Sequence, residues 1–257
     1  MSNLPFAFES WQWTVLIVTA LLIGMGKTGL SGINTVMVPV MALVFGAKES
    51  TGIVLPMYCF ADLLAIFSYR KDVAWKHIAR LLPWTLSGFA AALLVDYFIP
   101  VRLFKILIAV SILAGLIVMV WNDLRKARQR IEGREILVPS GWWFAAGFGI
   151  LGGFSTLIGN AAGPVMAIFM LSMQLPKISY VGTTAWFFVI VNYLKLPLQH
   201  FVWHNIGKKG LILDAMMFPV IILGALLGVF LVKRIPEKQF RILIYLLTLV
   251  SATLLFL

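Results

Sequence analysis

The sequence predicts an all-α integral membrane protein: a duplicated unit of about five helical segments, ten in total, with helices broken at two glycine-rich stretches. Three observations carry this. Apolar and aromatic residues fill 61% of the 257 positions and charged residues only 12%, with mean hydropathy +0.97; a soluble domain must cover its core with polar surface and cannot hold that ratio. IPVRLFKILI, Ile99 to Ile108, returns as IPEKQFRILI, Ile235 to Ile244, at an offset of 136 (235 − 99). Two glycine-rich stretches occupy corresponding places, GMGKTGLSGINTVMVP from Gly24 to Pro39 and GILGGFSTLIGNAAGP from Gly149 to Pro164.

The apolar segments fall at 11–26, 30–46, 51–69, 79–99, 103–121, 141–158, 161–174, 178–199, 209–232 and 239–256. Several approach the 20 residues that a bilayer core requires, and apolar residues run continuously, which excludes the alternation of a membrane barrel. Pro83 and Gly88 pair with Pro219 and Gly224 at the offset of 136, whereas Gly52 and Asp62 pair with Gly182 and Asn192 at 130 (182 − 52). One loop insertion accounts for the difference. The chain therefore divides into a first membrane repeat over 1–121, a basic cytoplasmic linker over 122–140 and a second membrane repeat over 141–257.

The net charge of +11 sits in short connections and forms no groove-sized patch with interleaved aromatics, so nucleic acid is not an expected partner. The linker holds Arg125, Lys126, Arg128, Arg130 and Arg134. With ten crossings, fifteen of the 21 basic residues, Lys27 among them, fall in odd-numbered connections. By the positive-inside bias both termini then lie outside the cytoplasm of a cytoplasmic (inner) membrane. Merging the segments that flank each glycine-rich turn gives eight crossings, a weaker bias, and Lys27 inside the membrane. Five segments per copy is an odd number, so the copies would be inverted across the membrane plane. Tryptophans gather near segment ends, at Trp11, Trp75, Trp121, Trp142 and Trp203 among others, as an interfacial belt does.

Glycine costs about 1 kcal/mol relative to alanine inside a helix, and hydroxyl and amide side chains compete for backbone hydrogen bonds, so both glycine-rich stretches should break the helix within the membrane. The N-terminus of the next half-helix then offers N–H groups and a positive dipole end to an anion. Ser31, Asn34 and Thr35 in the first copy, and Ser155, Thr156 and Asn160 in the second, are the candidate substrate-binding donors. The structural alternative is close helix packing through small residues. Asp62 is the acid deep in an apolar segment and a candidate proton-coupling group; the alternative is a packing hydrogen bond. Its counterpart Asn192, with Lys195 one turn beyond, completes the substrate-binding candidates, although a lysine can also snorkel outward.

The lone Cys59 supports no disulfide or metal framework. His200 and His204 have a metal-face spacing but no third ligand, and an interfacial position suits them better. No GxSxG, Walker motif or Cys/His cluster is present, so an enzyme, ATP-driven transport and a bound cofactor are not expected. The expected partners are a small anionic substrate and the lipid bilayer, with a homodimer as a candidate assembly.

GLSGINTVMVPV (Gly29 to Val40), TGIVLPMYCFADLLAIFSYRKDVAW (Thr51 to Trp75), GGFSTLIGNAAGPVMAIFML (Gly152 to Leu171) and GTTAWFFVIVNYLKLPL (Gly182 to Leu198) together resemble the sulfite exporter (TauE/SafE) family of membrane transporters. The likeness rests on the order and duplication of these motifs and spans nearly the whole chain. Members of that family often carry three glycines after the first helix, where this chain has Ile33, Asn34 and Thr35. The resemblance implies secondary transport of small sulfur-containing anions, sulfite or organosulfonates such as sulfoacetate, usually outward and by alternating access. An anion channel, or an importer of sulfur compounds with the same fold, is the competing expectation.

Overall fold

The computed structural model describes residues 8–30, 33–95 and 141–254. Among them the secondary structure is helical throughout. The helices are α1 (Ser10–Thr28), α2 (Ile33–Phe45), α3 (Ala47–Tyr69), α4 (Trp75–Val95), α5 (Trp142–Gly159), α6 (Gly163–Ser172), α7 (Lys177–Pro197), α8 (Lys208–Arg234) and α9 (Glu237–Leu254). A π-helical turn, Leu198–Val202, prolongs α7. The segment expected at 103–121 and the basic linker at 122–140 lie outside the described residues.

Among the described residues, four helical stretches are long and apolar enough to cross a membrane: Glu49–Tyr69, Trp142–Gly159, Lys177–Val202 and Lys208–Arg234. Two helices are too short to do so. The 13 residues of α2 and the 10 of α6 extend about 20 Å and 15 Å at 1.5 Å per residue, roughly two-thirds and half of a hydrocarbon core of about 30 Å. Each begins inside one of the two glycine-rich stretches. Helix α6 is buried on every side from Pro164 to Ser172, the enclosure that an interrupted helix needs at membrane depth.

Asn160 ends α5 in the left-handed conformation, φ 54°, which asparagine tolerates better than most residues. The Asn160 N–H donates to Thr156 O at 3.0 Å and the Ala161 N–H to Ser155 O at 3.1 Å, closing the last turn. Pro164 then falls in the first turn of α6, where a missing N–H costs nothing. Helix α1 runs two residues beyond its expected end and encloses Lys27. Lys27 is thus a buried helix residue and not a connection cation. Removing it from the topology count leaves fourteen (15 − 1) basic residues in the odd-numbered connections.

The packing is reciprocal. Helix α1 lies along α8, and α5 lies along α4. The backbones approach so closely that a Cβ on Gly24 would meet Ile221 O and one on Gly224 would meet Leu21 O; on the other pair, Gly153 faces Thr85 O and Gly88 faces Ile150 O. Small residues permit this approach, which packs helices in lipid where no hydrophobic drive exists between them. The Thr28 hydroxyl bridges α1 and α8, donating to Gly24 O or Ala225 O, 2.9 and 2.8 Å away. Gly52, at the start of α3, abuts Asn205 O after α7, and Gly182, at the start of α7, abuts Asp72 O after α3. Helices α3 and α7 therefore run antiparallel. Helix α9 covers α2 and α6, seating Phe240 edge-on against Tyr180 with ring centroids 5.6 Å apart.

Large apolar side chains stand exposed along α8, with Leu226 at 63% and Phe230 at 50%. Such a surface suits lipid and not water.

Candidate functional site

Helices α1, α3, α5 and α7 bring the chemistry together. Lys195, one turn after Asn192 on α7, is fully buried. Its ammonium donates to Thr156 Oγ1 at 3.1 Å, to Asn192 Oδ1 at 3.4 Å, and to Asn160 Oδ1. Three N–H groups meet three neutral oxygens, which saturates the donors of a lysine. The end of α5 places two of those oxygens there, because Thr156 and Asn160 are four residues apart where the helix stops.

Asp62 is buried on α3. Its Oδ2 accepts from Asn192 Nδ2 at 2.6 Å and from Lys27 Nζ at 3.2 Å, and Lys27 Nζ lies 2.9 Å from Oδ1. Burial of either charge alone would be costly, and the pair compensates them. Lys27 Nζ also sits 4.2 Å from the Phe188 ring centroid and 4.6 Å from that of Tyr58, where the ring faces attract a cation. The Tyr58 hydroxyl donates to Asn34 O at 3.4 Å, tying α3 to the first turn of α2.

These groups surround a cavity of about 30 Å³ lined by Gly26, Lys27, Asn34, Tyr58, Asp62, Thr156, Asn160, Gly163, Thr184, Ala185, Phe188 and Asn192. At 10–15 Å³ per water it holds roughly two or three, the size of a small oxyanion. Asn34 belongs to the first turn of α2 and Gly163 opens α6, so the start of each short helix reaches the cavity wall. The first turn of a helix carries N–H groups with no intrahelical acceptor. Asn34 Oδ1 and Thr184 Oγ1 are buried with no hydrogen-bond partner. Orphaned polar atoms on a cavity wall are what a bound polar solute or water would satisfy.

Of the residues the sequence singled out, Asn34, Asp62, Thr156, Asn160 and Asn192 line this cavity. Lys195 stands behind its wall. The Ser155 hydroxyl turns back onto α5, where Leu151 O and Gly152 O lie 2.7 and 3.2 Å away, and does not reach the cavity. Ser31 lies outside the described residues; Thr35 is in the first turn of α2, and only its backbone is described. Sequence reasoning missed Lys27, Tyr58, Thr184 and Phe188. For Lys27 a signal existed, since Asp62 is a buried acid in want of a cation and Lys27 is flanked by apolar and small residues.

Apolar helices, two of them half-length, enclosing a charged cavity of small-anion size define the class: a multi-pass membrane transporter. The chain belongs to the sulfite exporter TauE/SafE family, which matches residues 16–255. No curated protein and no solved structure matches the chain. Membership makes it a membrane transporter of the class that handles sulfite and related sulfur anions.

Proposed function

We propose that this protein is a secondary transporter that exports a small sulfur-containing anion, sulfite or an organosulfonate such as sulfoacetate, across the inner membrane. The carrying observation is the cavity lined by Lys27, Asn34, Thr156, Asn160 and Asn192 where α2 and α6 begin. Cationic and amide donors meet two helix N-termini there, and the volume admits only a few heavy atoms. Asp62 competes with the substrate for Lys27. A proton on Asp62 would release the ammonium to the anion, which makes Asp62 the candidate for proton coupling.

Alternating access would arise from two inverted copies moving against each other around this site. Three features support that reading. Asp62 and Asn192, equivalent positions at the offset of 130, hydrogen-bond to each other, and equivalent residues of two rotated copies can touch only beside the axis that relates them. Helix α3 is antiparallel to its counterpart α7. The α1–α8 packing at Gly24 and Ile221 has its counterpart in α5–α4 at Gly153 and Thr85.

Flux into proteoliposomes tests the proposal with sulfite, sulfoacetate, taurine and sulfate, with and without a pH gradient. Saturable counterflow of a sulfur anion is expected. Unitary currents would make the protein a channel, and absence of flux for every anion would remove the assignment.

A further inference from the structure

The cavity and its wall carry two ammonium groups, Lys27 and Lys195, against one carboxylate, Asp62. Lys27 and Asp62 neutralise each other at 2.9 Å. Lys195 has no carboxylate: its three acceptors are the neutral oxygens of Thr156, Asn160 and Asn192. The other ionisable group on the cavity lining is the phenol of Tyr58. Asp214, also buried, does not line the cavity, and α5 and α6 contribute no charged side chain to it. With Lys195 protonated, the state that the three acceptors around its nitrogen match, the described site holds one uncompensated positive charge in an interior where net charge is expensive.

We infer that this site is matched to a monoanion: with the Lys27–Asp62 pair formed, one negative charge of oxyanion size balances Lys195, and a dianion overshoots. The inference rests on the anion-transport reading above and narrows its substrate class to hydrogensulfite or a singly charged organosulfonate, in preference to the dianions sulfite, sulfate and sulfoacetate. Lys195 acts in it as a positioning residue. By occupying the amide oxygens of Asn160 and Asn192 and the Thr156 oxygen, it leaves their N–H and O–H hydrogens as the groups these side chains can offer elsewhere. Asn192 already spends one N–H on Asp62 and Asn160 one on Thr51 O, at 3.4 Å. The second amide hydrogen of each, and the Thr156 hydroxyl hydrogen, are left to donate from residues that line the cavity, and donors select anions over cations.

The test is competition against sulfite counterflow in proteoliposomes at neutral pH, with methanesulfonate as a permanent monoanion and sulfate as a permanent dianion of similar size. Methanesulfonate should inhibit at a concentration at least about tenfold below that of sulfate, a modest preference for a misplaced buried charge. Equal inhibition, stronger inhibition by sulfate, or none by methanesulfonate overturns the charge rule while anion transport stands. Absence of sulfite counterflow overturns the transport reading itself. Asp62→Asn adds one positive charge to the site and should move the preference toward sulfate; an unmoved ratio in a folded, active variant also overturns the rule. Lys195→Arg, which keeps the charge, should keep the monoanion preference even where it slows turnover.

Discussion

The Lys27 ammonium lies 2.9 Å from the Asp62 carboxylate inside the helix bundle, joining the end of α1 to the middle of α3 beside the cavity. The pair does two things. It holds the end of α1 against an unbroken helix, and it sets a carboxylate beside the Lys27 ammonium on the cavity wall.

Breaking that pair from one side should cost more than removing it whole. Lys27→Met or Asp62→Leu alone leaves an uncompensated buried charge and should lower stability by about 3–5 kcal/mol, whereas the double variant should recover most of the loss. Thermal melting of the purified protein measures this; equal damage from the double variant would contradict the pairing.

Asp62→Asn keeps the shape and the Asn192 contact but cannot exchange a proton. The variant should flatten the pH dependence of anion flux in proteoliposomes. A profile identical to wild type would remove Asp62 from coupling.

Asn160 has two separable duties, since its backbone caps α5 with positive φ and its side chain joins Lys195 to the cavity wall. Asn160→Gly keeps the first and deletes the second, so uptake should fall with little change in melting. Asn160→Ala should reduce uptake and also lose about 1 kcal/mol of stability at the left-handed position. Asn34→Ala, where no such backbone duty exists, should weaken uptake without loss of folding. Wild-type affinity in both alanine variants would discard the site.

Gly224 faces Leu21 O with no room for a side chain, while a Cβ on Gly147 meets nothing within 4 Å. Gly224→Val should separate α1 from α8 and lower stability by about 1–3 kcal/mol. Gly147→Ala should raise it by about 0.5–1 kcal/mol, because it only restricts the unfolded chain. Melting curves of the two variants that coincide would refute the close α1–α8 contact.

Much of the site was legible in the residues. Polar side chains in an apolar run are few, so Asp62, Asn192, Thr156 and Asn160 stood out by the cost of burying them, and they do line one cavity or hold its wall. Ser155 stood out for the same reason, but its rotamer satisfies the hydroxyl within its own helix, a choice made by local backbone geometry that spacing does not encode. Lys27 was read as a loop cation because glycines surround it. The helix continues through Gly24 and Gly26 to Thr28 and is capped at Gly29, with α8 packed closely against Gly24 and Gly29.

Composition and periodicity alone settled that this chain is helical and lipid-facing, and motif order pointed to its family, because both follow from residues counted along one dimension. Which side chains meet was decided only by tertiary structure. Lys27 reaches Asp62 from 35 residues away and Asn192 reaches it from 130, and these encounters depend on how far each helix runs and which face it turns inward. Small residues at the crossings set those quantities by fixing how closely the backbones approach.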